Sequence, residues 1–252
     1  CLIVSGGHTQ LILMRNHGKY QLIGETLDDA AGEAFDKIAR ILGLGYPGGP
    51  IIAAEAAKFK NQMSKIKMTD QKLEIKLPRP MIGSRNFNFS FAGLKTAVLY
   101  LVRDLTKDHR LEKIRRQIAS EAQGAIVDVL IAKTVRAVRE FKVKSIMLSG
   151  GVSANKLLRL RLKDEGLKLN LPVLVPAMEY TTDNAAMIAL AGYMKAKSEK
   201  LKIKNLDWRE VKANANWEII RHNANPRMYP VRESVIKKYS LGPRLAWFIH
   251  TL

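Results

Sequence analysis

Apolar and polar positions change period along this chain. Over the first 25 residues the apolar positions come in short or alternating runs: LIVS (2–5), QLILM (10–14) and YQLIGE (20–25). GGHT and NHGK separate them. Both strings are turn signals, so the runs predict a three-strand antiparallel meander. The stretch DDAAGEAFDKIARILGLGYPGG then shifts to helical spacing. Ala31, Ala34, Phe35, Ile38, Ile41 and Leu42 follow it, with acids at the start and glycines at the end. That pattern predicts an amphipathic helix. Pro50 suits the first position of a second helix, PIIAAEAAKFK, where no amide hydrogen is needed.

Residues 58–88 are polar, basic and dotted with proline, and predict a loop or insertion. FSFAGLKTAVLYLVRDL predicts a strand-like start and then a helix. A long helix follows over 111–141, with Ile114, Ile118, Ile126, Leu130, Ile131 and Val138 as its apolar stripe. KSIMLSG predicts a buried strand, SANKLLRLRLKDEGL a helix and PVLVP a strand. TTDNAAMIALAGYMKAK predicts a helix capped by Thr or Asp. A meander followed by alternating helices and strands is an α/β layer structure, and its order resembles a ribonuclease-H-like half-domain. The predicted domain covers 1–196. Residues 197–218 read as an arm, and 219–252 as an irregular tail without periodicity.

Composition narrows the function classes. A chain of 252 residues, 47% hydrophobic, can bury a sizeable core. No apolar run approaches the ~20 residues of a membrane span. The net charge of +19 favours a polyanion partner, because Lys and Arg gain affinity by releasing phosphate counterions. Cys1 is the single cysteine, which excludes a disulfide framework and a CxxC metal site. The first residue is Cys and falls inside a predicted strand, so an upstream continuation is expected.

Two strings carry the candidate chemistry. IVSGGHTQL (3–11) and MLSGGVSANKLL (147–158) each place a serine and two glycines directly after a strand. Glycines admit a ligand close to the backbone and permit positive φ, and successive amides there can cradle an anion. A side chain at Gly6 is therefore expected to strain the turn and fill a phosphate position. The second corner opens a helix, whose N-terminus favours a nucleotide. Asn155 has a donor and an acceptor for a ribose or base; a plain cap by Ser153 is the alternative. Asp36 lies in the helix after the meander, near the YPGG string (46–49). Asp183 is a helix cap or a metal ligand. The five histidines have no HxxxH or HExxH spacing.

Taken together, IVSGGHTQL, DDAAGEAFDKIARILGLGYPGGP, LPRPM, FNFSFAGLKTA, SGGVSANKLLR and TTDNAAMIA closely resemble the tRNA adenosine threonylcarbamoyltransferases, once labelled glycoproteases. The resemblance implies a ribonuclease-H-like half of the actin-like, sugar-kinase-like ATPase fold. It also implies transfer of threonylcarbamoyl from threonylcarbamoyl-AMP to the exocyclic amine of the adenosine beside the anticodon, in tRNAs that read A-starting codons. By position, Ile3, Val4, Ser5, Gly6 and Gly7 would hold the donor, with Asp36, Gly49 and Asn155. Asp183 matches a carboxylate ligand of a divalent metal, iron or zinc. The two partner histidines belong to an HxxxH motif ahead of the first corner and are not in this chain. The resemblance further implies tRNA, a smaller paralogous subunit and a P-loop ATPase as partners, and a cytoplasmic setting. Lys95 and the 58–80 stretch are candidates for tRNA phosphates. The alternatives are a non-catalytic scaffold subunit of the same complex and a sugar or acid kinase of the same fold.

Overall fold

The structure is a computed structural model and describes residues 1–65, 75–107 and 111–198. Its five-stranded sheet contains β1 (Leu2–Val4), β2 (Thr9–Asn16), β3 (Lys19–Glu25), β4 (Ile146–Ser149) and β5 (Val173–Leu174). Their order is β3-β2-β1-β4-β5. β1 is antiparallel to β2 and parallel to β4, and β4 is parallel to β5. Leu2 faces Leu11 on one side and Leu148 on the other. Alternation sends Leu2, Val4, Ile146 and Leu148 into the core, as strand pleating requires. The predicted α/β, ribonuclease-H-like class is the one observed.

The helices are α1 (Ala31–Ile41), α2 (Gly48–Lys65), α3 (Ala92–Lys107), α4 (Leu111–Phe141), α5 (Lys156–Lys168) and α6 (Ala185–Ser198). α4 packs against α1, α2, α3 and α5. Its stripe residues Ile118, Ile126, Leu130, Ile131 and Val138 are buried, and Ala119, Ala122 and Ala125 are buried among them. Each large aliphatic chain so enclosed contributes about 1.5–3 kcal/mol of transfer free energy. α2 packs against α4 and α1; its Ile52 and Ala56 are buried, and Arg116 of α4 donates to Glu55 at 3.0 Å.

Two expectations change. α2 continues to Lys65, into the stretch expected to be a loop. Lys58, Lys60, Asn61 and Gln62 are exposed, so their polarity marks the helix's outer face and does not end it. Residues 66–74 of the expected insertion lie outside the described residues. After them, residues 75–91 run irregularly but are pinned. Arg79 Nε donates to Asp128 at 2.9 Å, and its guanidinium also bonds Glu121. The fully buried Lys133 donates from Nζ to Ser84 Oγ at 2.6 Å and to the Asn86 carbonyl at 2.9 Å. Phe87, Phe89 and Phe91 all enter the core, the period-two signature of the expected strand-like start. Phe89 bridges Thr26 in parallel.

The chain divides into two units, Cys1–Leu13 with Leu22–Thr182, and Met14–Gln21 with the stretch from Asp183 onward. Beyond Ser198, the expected arm and tail lie outside the described residues. Among the described residues no helix is long and apolar enough to cross a membrane.

Candidate functional site

The two glycine corners meet within the first unit. Ile3 pairs with Ser149 across the parallel β1–β4 ladder, so both strands reach their C-terminal ends side by side. The approach is close: a Cβ on Gly150 would stand 2.3 Å from the Val4 carbonyl oxygen, and Gly150 has a φ of 89°. Only glycine fits there. Carboxyl ends of adjacent parallel strands are where α/β sheets bind ligands.

The first corner is held shut on itself. The Ser5 amide donates to the His8 carbonyl at 2.8 Å, and the His8 amide donates to Ser5 Oγ at 3.0 Å. Among the described residues nothing accepts from the Gly6 and Gly7 amides, and both glycines are exposed. An added Cβ at either meets nothing within 4 Å, and neither has positive φ. The expected strain at Gly6 is therefore absent; the room there is open space over two unpaired donors. Val4 is fully buried, backbone included, so it shapes the corner from beneath and presents no surface to a ligand. Ile3 is half-buried within β1.

α1 is docked onto this corner. The Ala31 amide donates to the buried Thr9 Oγ1 at 2.8 Å, and the Gly32 amide to the Ser5 carbonyl at 3.0 Å. A Cβ on Gly32 would lie 2.5 Å from that carbonyl oxygen. These contacts occupy the first two amides of α1. Asp36 follows Gly32 by four residues and so shares its face of α1. Its Oδ1 accepts from the Gly48 amide at 2.7 Å. Asp36 thus carries the N-terminus of α2, and with it Gly49, along the face that begins at Gly6.

The second corner leaves β4 through a 3₁₀ turn, Gly151–Ala154, packed against β1 and α1. The cap of α5 is Asn155 and not Ser153: Asn155 Oδ1 accepts from the Leu158 amide at 3.1 Å. Ser153 is buried, and its carbonyl accepts from Arg159 Nε, which sets a guanidinium at this corner. The structure therefore gathers Ser5, Gly6, Gly7, Asp36, Gly49 and Asn155 around neighbouring elements of one unit.

A family model described as tRNA N6-adenosine threonylcarbamoyltransferase matches residues 1–190. The chain belongs to this family. It is 46% identical over 192 residues to a protein of that name from Thermosipho africanus, covering 76% of this chain and 54% of the relative. It is 49% identical over 206 residues to the Ralstonia pickettii protein of that name, covering 81% and 56%. A Buchnera aphidicola relative of the same name is 44% identical over 219 residues, covering 87% and 59%. The chain spans somewhat over half the length of these relatives.

Among the described residues, the donors for the metal that the family resemblance implies are incomplete. Asp183 lies in the second unit, two residues ahead of α6. Asn184, not Asp183 or a threonine, caps that helix, accepting from the Met187 amide at 3.0 Å. Among the described residues no three His, Cys, Asp or Glu side chains gather as metal ligands. One carboxylate does not make a tetrahedral or octahedral site.

Lys95 has an acidic partner within the chain. Its ammonium lies 3.1 Å from Asp29 Oδ2, while Lys37 donates to Oδ1 at 2.6 Å. Burial pushes the Asp29 carboxyl up, but the bonds from the two lysines outweigh it and hold the group below its ordinary value. This ion pair ties α3 to the segment before α1. Gly32 and Gln123 went unmarked in the sequence, and the distant partners of Thr9 and Gly150 were not legible there. Each acts through a partner far away along the chain, and no spacing rule points to such a pair.

Proposed function

We propose that this chain forms the donor-holding part of an enzyme that transfers threonylcarbamoyl from threonylcarbamoyl-AMP to the exocyclic amine of adenosine in tRNA. The observation carrying this reading is the pair of glycine corners at adjacent β1 and β4 ends, with the Gly6 and Gly7 amides unpaired among the described residues. The names of the relatives support it.

The donor is a mixed carbamic–phosphoric anhydride. The amine nitrogen attacks its carbamoyl carbon, the bond from that carbon to the phosphate oxygen breaks, and AMP leaves with the electron pair. The amine gives up one proton to solvent or to a base. Amides at the first corner would hold the phosphate and stabilise the charge that grows on it. The second corner, with Asn155, would hold the adenosine end. Fixing both ends orients the carbamoyl carbon, and orientation supplies much of the acceleration. A basic chain of net charge +19 suits tRNA phosphates. The smaller paralogous subunit, the P-loop ATPase and the cytoplasmic setting belong to the same reading. Asp183 is assigned as one ligand of a divalent metal, iron or zinc, and no step is routed through it.

The test is mass spectrometry of tRNA nucleosides after incubating the full-length protein with its partner subunits, donor and unmodified tRNA. Threonylcarbamoyladenosine is the expected product, and Asp183→Ala should lower both product and bound metal. Bound donor without product identifies a scaffold subunit. Phosphoryl transfer from labelled ATP to a small hydroxyl compound identifies a kinase. Either result overturns the proposal.

A further inference from the structure

Asn155 can present its side-chain amide one way round only. The Leu158 backbone N–H donates to it at 3.1 Å, so the atom facing that donor is oxygen. Nδ2 is thereby turned to α4, where Gln123 Oε1 accepts from it at 3.0 Å. Gln123 is 5% exposed. The cap of α5 needs Oδ1 and the Leu158 amide alone, so the bond to Gln123 adds nothing to capping. What it adds is orientation: it stops rotation of the amide and takes one Nδ2 hydrogen. Among the described residues nothing accepts from the other Nδ2 hydrogen, and Asn155 is half-buried.

We infer that Gln123 is a positioning residue, which fixes Asn155 Nδ2 as a donor to an acceptor atom on a bound adenosine, either a ribose oxygen or a ring nitrogen. The inference rests on the reading of the corners as a nucleotide site. Gln123 is 32 residues from Asn155 and on another helix. Burying its amide oxygen without a partner is costly. Asn155 Nδ2 is the partner of that oxygen, so the pair holds together as one unit with one Nδ2 hydrogen left for a ligand.

The experiment titrates AMP into the full-length protein by calorimetry, for the parent, Gln123→Leu and Gln123→Glu, with a thermal melt of each. Leucine removes the acceptor, and AMP should bind about tenfold more weakly, the worth of one oriented hydrogen bond. Glutamate keeps an acceptor, and affinity should stay within about threefold of the parent. Asn155→Asp is the second variant. It keeps the oxygen over Leu158 but removes the donor, so it should lose AMP affinity while α5 stays capped. Titration with 2′,3′-dideoxy-AMP separates the two acceptors: the Gln123→Leu deficit vanishes if the acceptor is a ribose hydroxyl and persists if it is a ring nitrogen. Parent-like AMP affinity in Gln123→Leu, or in Asn155→Asp should the leucine variant fail to fold, overturns this inference alone. A parent that does not bind AMP overturns the nucleotide reading and the inference with it.

Discussion

Replacing Gly150 by alanine puts a methyl carbon 2.3 Å from the Val4 carbonyl oxygen and 2.8 Å from its carbonyl carbon. Real contacts of this kind essentially never fall below 3.0 Å, and both obstacles are backbone. The residue also sits at a φ of 89°, where a side chain costs about 1–3 kcal/mol. Relief requires β1 and β4 to part by a good fraction of an ångström, and overpacking of that kind costs about 1–3 kcal/mol more. The sum, about 2–6 kcal/mol, is a large share of the 5–15 kcal/mol (roughly) that holds a domain folded. At about 2–4 °C per kcal/mol for a chain of this size, Gly150→Ala should melt roughly 5–20 °C below the parent. Gly6→Ala and Gly151→Ala are the controls. Their new methyl groups meet nothing within 4 Å, so both should melt within about 1–2 °C of the parent. Gly6→Ala should still lose nucleotide affinity, since the methyl stands where a phosphate would approach. Differential scanning calorimetry checks the melts and AMP titration the binding. A Gly150→Ala protein that melts with the parent would refute the claim that the corners are pressed together. Loss of folding in Gly6→Ala would refute its assignment to the ligand.

Two further perturbations test the packing around the site. Burial, then the neighbouring Arg136 charge, pushes the Lys133 ammonium down to about 8. An unfolded lysine titrates near 10.5, so between these values the unfolded chain binds more protons and stability from this group rises with pH. The urea midpoint of the parent should gain on that of Lys133→Met between about pH 8 and 10.5; parallel curves would show that the buried ammonium is not destabilised. Asp28 accepts from the amides of Phe91 at 2.7 Å and Ala92 at 3.2 Å and so caps α3. Asp28→Ala should cost about 1–2 kcal/mol by urea denaturation, and Asp28→Asn, which keeps the acceptor, should recover most of it.

The period of the apolar positions by itself determined the element types, because pleat and helix each impose their spacing on whatever faces the core. Ala34, Phe35 and Ile38 on α1, and Ile118, Ile126 and Leu130 on α4, are buried as that spacing requires. The candidate residues of both corners were legible too, since a serine and two glycines after a strand make a local signal. Polarity misled at Lys58 and Lys60, because one sequence cannot tell a loop from a solvated helix face. Capping was legible as a need but not as a residue. Asn155 and Asn184 took the positions offered equally to Ser153 and to Thr or Asp. Only the tertiary structure decided that the two corners stand side by side, that Gly150 presses on Val4, and that Gln123 faces Asn155. Those contacts join residues remote in sequence. Which strand lies next to β1 is set by how the long crossover through α1 to α4 packs, and nothing local to either corner records it.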